Sequence, residues 1–194
     1  MSGRPVALVA CSAAKLTEPA PAKDLYQGQL FRLARAWAER FAARWYVLSA
    51  LHGVLDPSRV IEPYDLSMAD RARGLHWRAR TDSPIGRREG KPVYGMDPID
   101  AWATTCRGQL MGGAAGPTVY FEGGDTLVML AGAAYREPLT KWLPPWGARQ
   151  IETPLTGLGI GRQKQWLRRE LDRWADRNPL LAGAALPAGC GGSR

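Results

Sequence analysis

The sequence is short of the residues that build metal and redox centres. Its 194 residues include two histidines, His52 and His76, and three cysteines, Cys11, Cys106 and Cys190. The cysteines lie far apart and are odd in number. That excludes a disulfide framework and any CxxC metal or redox motif, and it fits a reducing compartment. No metal site is expected. No apolar run approaches the ~18 residues of a membrane-crossing helix. The start, Met1-Ser2-Gly3-Arg4-Pro5-Val6, lacks the charged-then-apolar order of an export signal. A cytoplasmic protein without membrane attachment is expected. There is no Walker A loop and no GxGxxG fingerprint, so neither ATP nor a nicotinamide cofactor is indicated, and no cofactor is expected.

Acid is the scarcer charge. Lys and Arg number 26 against 18 Asp and Glu, a formal net charge of +8. The surplus points to a polyanionic partner: nucleic acid, DNA before RNA, or a nucleotide. The plainer reading is a charge that serves solubility. A hydrophobic content of 45% marks a globular chain. A chain of this length buries roughly 70% of its unfolded surface and needs no covalent staples.

Periodicity predicts the elements. Residues 5–10 (Pro-Val-Ala-Leu-Val-Ala) read as a strand buried on both faces, and a polar loop follows over 11–28. Leu30, Leu33, Ala34, Trp37 and Phe41 recur at helical spacing. Residues 45–49 read as a second buried strand. A strand, a helix of about 14 residues and a strand make a βαβ unit, so the two strands are expected to be parallel neighbours. A long loop is expected over 50–66, then a short helix capped by Ser67. Residues 71–91, rich in arginine, read as a mobile or surface-lying insertion. A helix is expected from Asp97-Pro98 to Leu110. Strands at 118–121 and 126–130 suggest a hairpin through Glu122-Gly123-Gly124-Asp125. A helix over 133–143 contains Pro138, which kinks it or delays its start. A short strand at 150–153 and an amphipathic helix at 163–176, with Leu167, Leu171 and Trp174 on one face, complete the pattern. The expected fold class is α/β: a single three-layer domain over 1–177 on a mainly parallel sheet, with a basic insertion at about 71–95 and a flexible tail at 178–194.

Open α/β sheets bind ligands beyond the carboxyl ends of their strands. The first strand runs into Cys11-Ser12-Ala13-Ala14-Lys15. A small-residue turn there can present N–H groups to an anion, and a partly buried Lys15 can act as nucleophile or base. The second strand runs into Ser49-Ala50-Leu51-His52-Gly53, where His52 suits general acid–base work or phosphate binding. Glu62, Tyr64 and Asp65 follow, held extended by Pro63, and either carboxylate can face the same crevice. The third segment, Gly157-Leu158-Gly159-Ile160-Gly161-Arg162-Gln163, lets a backbone approach an anion at a helix start, with Arg162 closing a bidentate contact. Arg78, Arg80, Arg87 and Arg88, with Lys164 and Arg168, are candidates for a nucleic-acid backbone track. Trp77 and Trp146 are candidates for base stacking, whereas Trp102 and Trp142 read as core. The plainer readings are a core Cys11, a solvated Lys15, a structural His52, solubilising carboxylates and a tight turn at the glycines.

The combination is more specific than its parts. Cys11-Ser-x-x-Lys15, Ala22-Lys23-Asp24-Leu25-Tyr26-x-Gly28-x-Leu30-Phe31, Leu48-Ser49-Ala50-x-x-Gly53 and Pro154-Leu155-x-Gly157-Leu158-x-Ile160-Gly161-x-Gln163 together resemble a largely uncharacterised family of bacterial, archaeal and phage proteins. The resemblance covers most of residues 5–175. More distantly the chain resembles the YaaA peroxide-stress family, which is associated with DNA binding. The Cys11 and Lys15 pair is also similar to a motif of archaeosine synthase, which modifies a base in transfer RNA and whose motif lysine is implicated in the chemistry. This chain departs from that motif at Leu16-Thr17. The resemblances imply a nucleobase or nucleic-acid setting.

The function expected is a nucleobase-processing enzyme acting on nucleic acid or a nucleotide by cleaving an N-glycosidic bond. Lys15, His52, Glu62 and Asp65 would be its catalytic groups. Cys11, Ser12, Ser49, Tyr64, Gly157, Gly159, Gly161, Arg162 and Gln163 would bind substrate. The alternatives are a non-catalytic DNA-binding stress protein and a hydrolase or transferase of a small phosphorylated metabolite.

Overall fold

In a computed structural model, which describes residues 4–73, 86–88, 91–93, 97–111, 125–142 and 148–178, strand β1 (Val6–Ala10) lies at the centre of the main sheet. Its side chains alternate: Val6 and Leu8 enter one core, Ala7 and Val9 the other. A two-residue strand β2 (Ala20–Pro21) and the single turn α1 (Ala22–Leu25) lead to helix α2 (Gln29–Phe41). Its stripe of Phe31, Leu33, Ala34, Trp37 and Ala38 is buried. Strand β3 (Arg44–Ser49) returns parallel to β1, with Val6 opposite Arg44 and Ala10 opposite Leu48. This is the βαβ unit that the periodicity implied.

The chain then reverses. Four residues after Ser49, Gly53 takes a φ of 73° and starts strand β4 (Gly53–Leu55), which runs antiparallel along β3. Strand β5 (Val60–Ile61) pairs with β2. The expectation of a loop over 50–66 is therefore corrected: these strands are too short to show a period of two. Helix α3 (Met68–Ala72) begins at the expected Ser67. Ser67 Oγ accepts the Asp70 N–H at 3.1 Å, and the Asp70 carboxylate accepts the Ser67 N–H at 2.9 Å. Strands β6 (Gly86–Arg88) and β7 (Lys91–Val93) form an antiparallel ribbon inside the stretch read as a basic insertion.

Helix α4 (Pro98–Leu110) is capped as expected, with the Asp97 carboxylate accepting the N–H groups of Ile99 and Asp100. Strand β8 (Asp125–Leu130), helix α5 (Ala133–Trp142), strand β9 (Ala148–Glu152) and helix α6 (Ile160–Arg177) follow. Pro138 sits inside α5, and α6 starts three residues before the expected position. Residues 118–121 lie outside the described residues. Leu127 and Val128 of β8 have β1 on one side and β9 on the other, both parallel, so neither has a free edge for a hairpin partner.

The main sheet has the order β4-β3-β1-β8-β9, parallel except for β4. On one face Ala7, Val9, Val47 and Leu130 pack with α2 and with Leu167 of α6. On the other, Leu8, Leu48 and Met129 pack with Met68 of α3, Trp102 and Cys106 of α4 and Leu139 of α5. The architecture is three-layer α/β on a mainly parallel sheet. Among the described residues no helix is long and apolar enough to cross a membrane.

Candidate functional site

Four parallel strands point their carboxyl ends at one edge of the sheet. The chain leaves β1 toward β3 on one side and later enters β8 on the other, so the connections diverge between β1 and β8. That divergence opens the crevice in which such sheets bind ligands. Cys11 follows β1, and its N–H still donates to Leu48 O at 2.9 Å. Ser12 Oγ then accepts the Gly28 N–H at 3.0 Å and donates to Ala14 O at 2.9 Å. Ser12 therefore fastens the loop to the start of α2. Lys15 bridges to Tyr26. Its Nζ lies 4.4 Å from the Tyr64 ring centroid and donates to Ala13 O at 3.2 Å.

Tyr64 is the hub. Ser49 Oγ accepts the N–H groups of Leu51 (3.2 Å) and His52 (3.0 Å), which leaves its own proton for the Tyr64 hydroxyl at 2.8 Å. The Tyr64 hydroxyl lies 2.9 Å from that of Tyr26 and donates to Cys11 Sγ at 3.7 Å. Cys11 Sγ in turn lies 3.1 Å from the Tyr135 hydroxyl. Burial first, and the neighbouring Cys11 second, pushes Tyr26 up to about 12 and raises Tyr64 and Tyr135 as well. All three phenols stay protonated at neutral pH and act as hydroxyl donors or acceptors.

His52 packs edge-on against Tyr64, with centroids 5.5 Å apart. Burial, and secondarily the Arg59 charge, lowers its pKa, which favours the neutral ring. Its backbone is held by Gln109, whose Nε2 donates to His52 O at 3.0 Å while its Oε1 accepts the Val54 N–H at 2.7 Å. The end of β3 is also clamped from the opposite layer. Trp102 Nε1 donates to Ser49 O at 3.0 Å, and Arg71 Nε donates to Ala50 O at 2.7 Å. Arg71 was read with the basic surface insertion. That reading is corrected: the residue is 7% exposed and braces the site from inside.

Glu62 and Asp65 flank Pro63-Tyr64 and are exposed. Among the described residues neither makes a side-chain hydrogen bond or ion pair. The 157–163 loop leaves β9 at the same sheet edge, two strand spacings or roughly 10 Å from β1. Leu155 anchors it in the core, Gly157 takes a φ of 73°, and buried Gln163 donates from Nε2 to Leu158 O at 2.7 Å. Gly159 caps α6, and a Cβ on Gly159 or Gly161 would meet nothing within 4 Å. Among the described residues, no packing contact requires glycine at these two positions. Arg162 and Arg168 are exposed, and Lys164 is half-buried.

Hydrogen bonds and ring contacts thus join Cys11, Lys15, Ser49, His52 and Tyr64. Among the described residues no hydrogen bond ties the glycine loop to them. Arg78, Arg80, Trp77 and Trp146 lie outside the described residues, and Arg87 and Arg88 sit on β6. Sequence reasoning missed Tyr26 and Tyr135 as members of the cluster. Tyr26 stood in a quoted motif, but Tyr135 is one aromatic in an ordinary helical pattern and carries no sequence signal.

No curated protein matches the chain. A family model matches residues 6–91 and 98–169, and the chain belongs to that family, a family of unknown function (DUF6884).

Proposed function

We propose that the chain is a nucleobase-processing enzyme that hydrolyses an N-glycosidic bond in nucleic acid or a nucleotide. The observation that carries this reading is the position of Lys15 over Tyr64, with His52 against the same ring and, beside it in sequence, two carboxylates without a partner among the described residues. The protonated tyrosines and Cys11 offer directional partners for the edge of a base. The Lys15 ammonium donates to a ring nitrogen or carbonyl as electron density shifts onto the departing base. Asp65 or Glu62 stabilises the oxocarbenium character of the sugar and orients a water. The water oxygen bonds to C1′, the C1′–N bond breaks with its electron pair passing to the base, Lys15 gives the base a proton, the carboxylate takes the water's proton, and exchange with solvent returns that proton to Lys15. The open 157–162 backbone at the start of α6 suits the phosphate. In a duplex the target base would have to be flipped out. The resemblances to the YaaA family and to the archaeosine synthase motif support a nucleobase setting, as does the net charge of +8.

The test is mass spectrometry of bases released from modified DNA, unmodified DNA and free nucleotides. Free base is expected from one of these substrates, and it should disappear with Lys15→Ala and with the Glu62→Gln/Asp65→Asn pair. Release from none of them overturns the reading.

A further inference from the structure

A second concave feature lies on the far flank of the motif that contains Tyr26. A cavity of about 230 Å³ opens between α1 and α2. Leu16 and Tyr26 are among its lining residues, and Lys23, Asp24, Arg32 and Arg35 supply its charge. The acid is already committed. Arg35 Nη1 binds Asp24 at 2.7 Å and Lys23 O at 2.6 Å, while its Nε binds Glu39 at 2.7 Å. Two cations, Lys23 and Arg32, make no ion pair among the described residues, and the group keeps a surplus of one positive charge. The Lys23 ammonium has no hydrogen-bond or ion-pair partner among the described residues, yet its backbone is pinned by an N–H donated to Pro57 O at 2.9 Å. Arg32 gives one N–H to Gln27 Oε1, and its other donors find no partner among the described residues.

We propose that this cleft binds a phosphate group. Its net charge calls for an anion. Its volume is below the ~300 Å³ at which sites for whole drug-sized molecules begin, so the occupant is a compact group rather than a base. A guanidinium fork and an ammonium on facing elements suit an oxyanion with several terminal oxygens. The Arg35–Asp24–Glu39 network fixes the wall without using up Lys23 or Arg32. Tyr26 borders both this cleft and the Tyr64 cluster, so a bound phosphate lies next to the candidate site and apart from the 157–162 loop. The inference stands without the glycosidic chemistry proposed above. A phosphate monoester and a nucleic-acid phosphodiester are its two sources.

The experiment is a titration of the full chain with inorganic phosphate at fixed ionic strength, followed by the arginine side-chain N–H resonances. A saturable shift is expected at Arg32. Affinity should fall about tenfold or more in Arg32→Gln and in Lys23→Gln, because each removes a charged donor. Lys23→Gln breaks no side-chain hydrogen bond or ion pair among the described residues and is expected to fold as the parent does. A non-saturable response, or equal affinity in parent and both variants, overturns the proposal. Competition by an oligonucleotide without terminal phosphate assigns the site to diesters; competition only by its 5′-phosphorylated form assigns it to monoesters. Saturable phosphate binding without base release leaves the cleft standing and removes the glycosidic reading. Base release without phosphate binding does the reverse.

Discussion

Gly28 and Ser12 touch so closely that a Cβ on Gly28 would lie 2.6 Å from the Ser12 Cβ. The Gly28 N–H uses that proximity, donating to Ser12 Oγ at 3.0 Å. Gly28 is needed here for approach rather than for conformation, since its φ is an ordinary −62°. Gly28→Ala should push the 11–15 segment off α2 and cost about 1–3 kcal/mol. Urea midpoints of the parent and variant measure it.

Gly53 and Gly157 share a φ of 73° but not their surroundings. A Cβ on Gly53 would run into the buried Gln109 amide, whereas one on Gly157 would meet nothing. Gly157→Ala should cost the backbone strain alone, about 1–2 kcal/mol. Gly53→Ala should cost more, because it also displaces the amide that holds His52 and Val54. Thermal midpoints of the two variants should fall in that order.

Ser49→Ala removes the acceptor of two backbone N–H groups and the donor to Tyr64. The orphaned groups are part-buried, so a loss of about 1–3 kcal/mol is expected. Near-UV circular dichroism of the tyrosines should change as well, because Tyr64 loses a fixed partner. An unchanged spectrum with unchanged stability would show that the cluster does not depend on Ser49.

His52 predicts a pH dependence with a definite sign. Its folded pKa lies below the ordinary 6.5 through burial first and Arg59 second. The unfolded chain therefore binds more protons just below that value, and stability falls as pH drops through about 6.5 and below. His52→Gln should flatten this segment of the curve relative to the parent. Parallel curves would remove His52 as the cause.

A Cβ at Gly159 would meet nothing within 4 Å among the described residues, so Gly159→Val should leave the denaturation midpoint close to that of the parent. If the 157–162 backbone receives a phosphate, the same variant should bind nucleic acid more weakly. The parent's log affinity for duplex DNA should fall with log salt at about −0.9 per neutralised phosphate. No binding at low salt would remove nucleic acid as the partner.

The layers of the fold were legible because their signals are local and periodic. β1 and β3 are apolar runs separated by one amphipathic helix, and Ser67, Asp97 and Pro98 mark helix starts by side-chain chemistry. β4 was not legible. Its three residues are too few for alternation, and its direction is set by the conformation of one glycine. Of the site, Cys11, Lys15, Ser49 and His52 were found because they sit at strand ends. Arg71 and Trp102 were not read as braces. Each reaches the end of β3 from another layer, over a separation in sequence that no pattern encodes.

The central strand has a consequence for the order of assembly. β1 meets β3 across a connection that holds β2, α1 and α2, far shorter than the one that brings in β8, so this amino-terminal unit closes with the smaller loss of chain entropy. β8 must come from far along the chain to take the other side of β1, and β9 can add only to β8. Contacts of such long range slow folding. The amino-terminal half of the sheet should therefore form first and wait with one edge of β1 unpaired. The crevice between β1 and β8 does not exist until that late docking, so any ligand that binds there acts on the last step of folding and favours its completion.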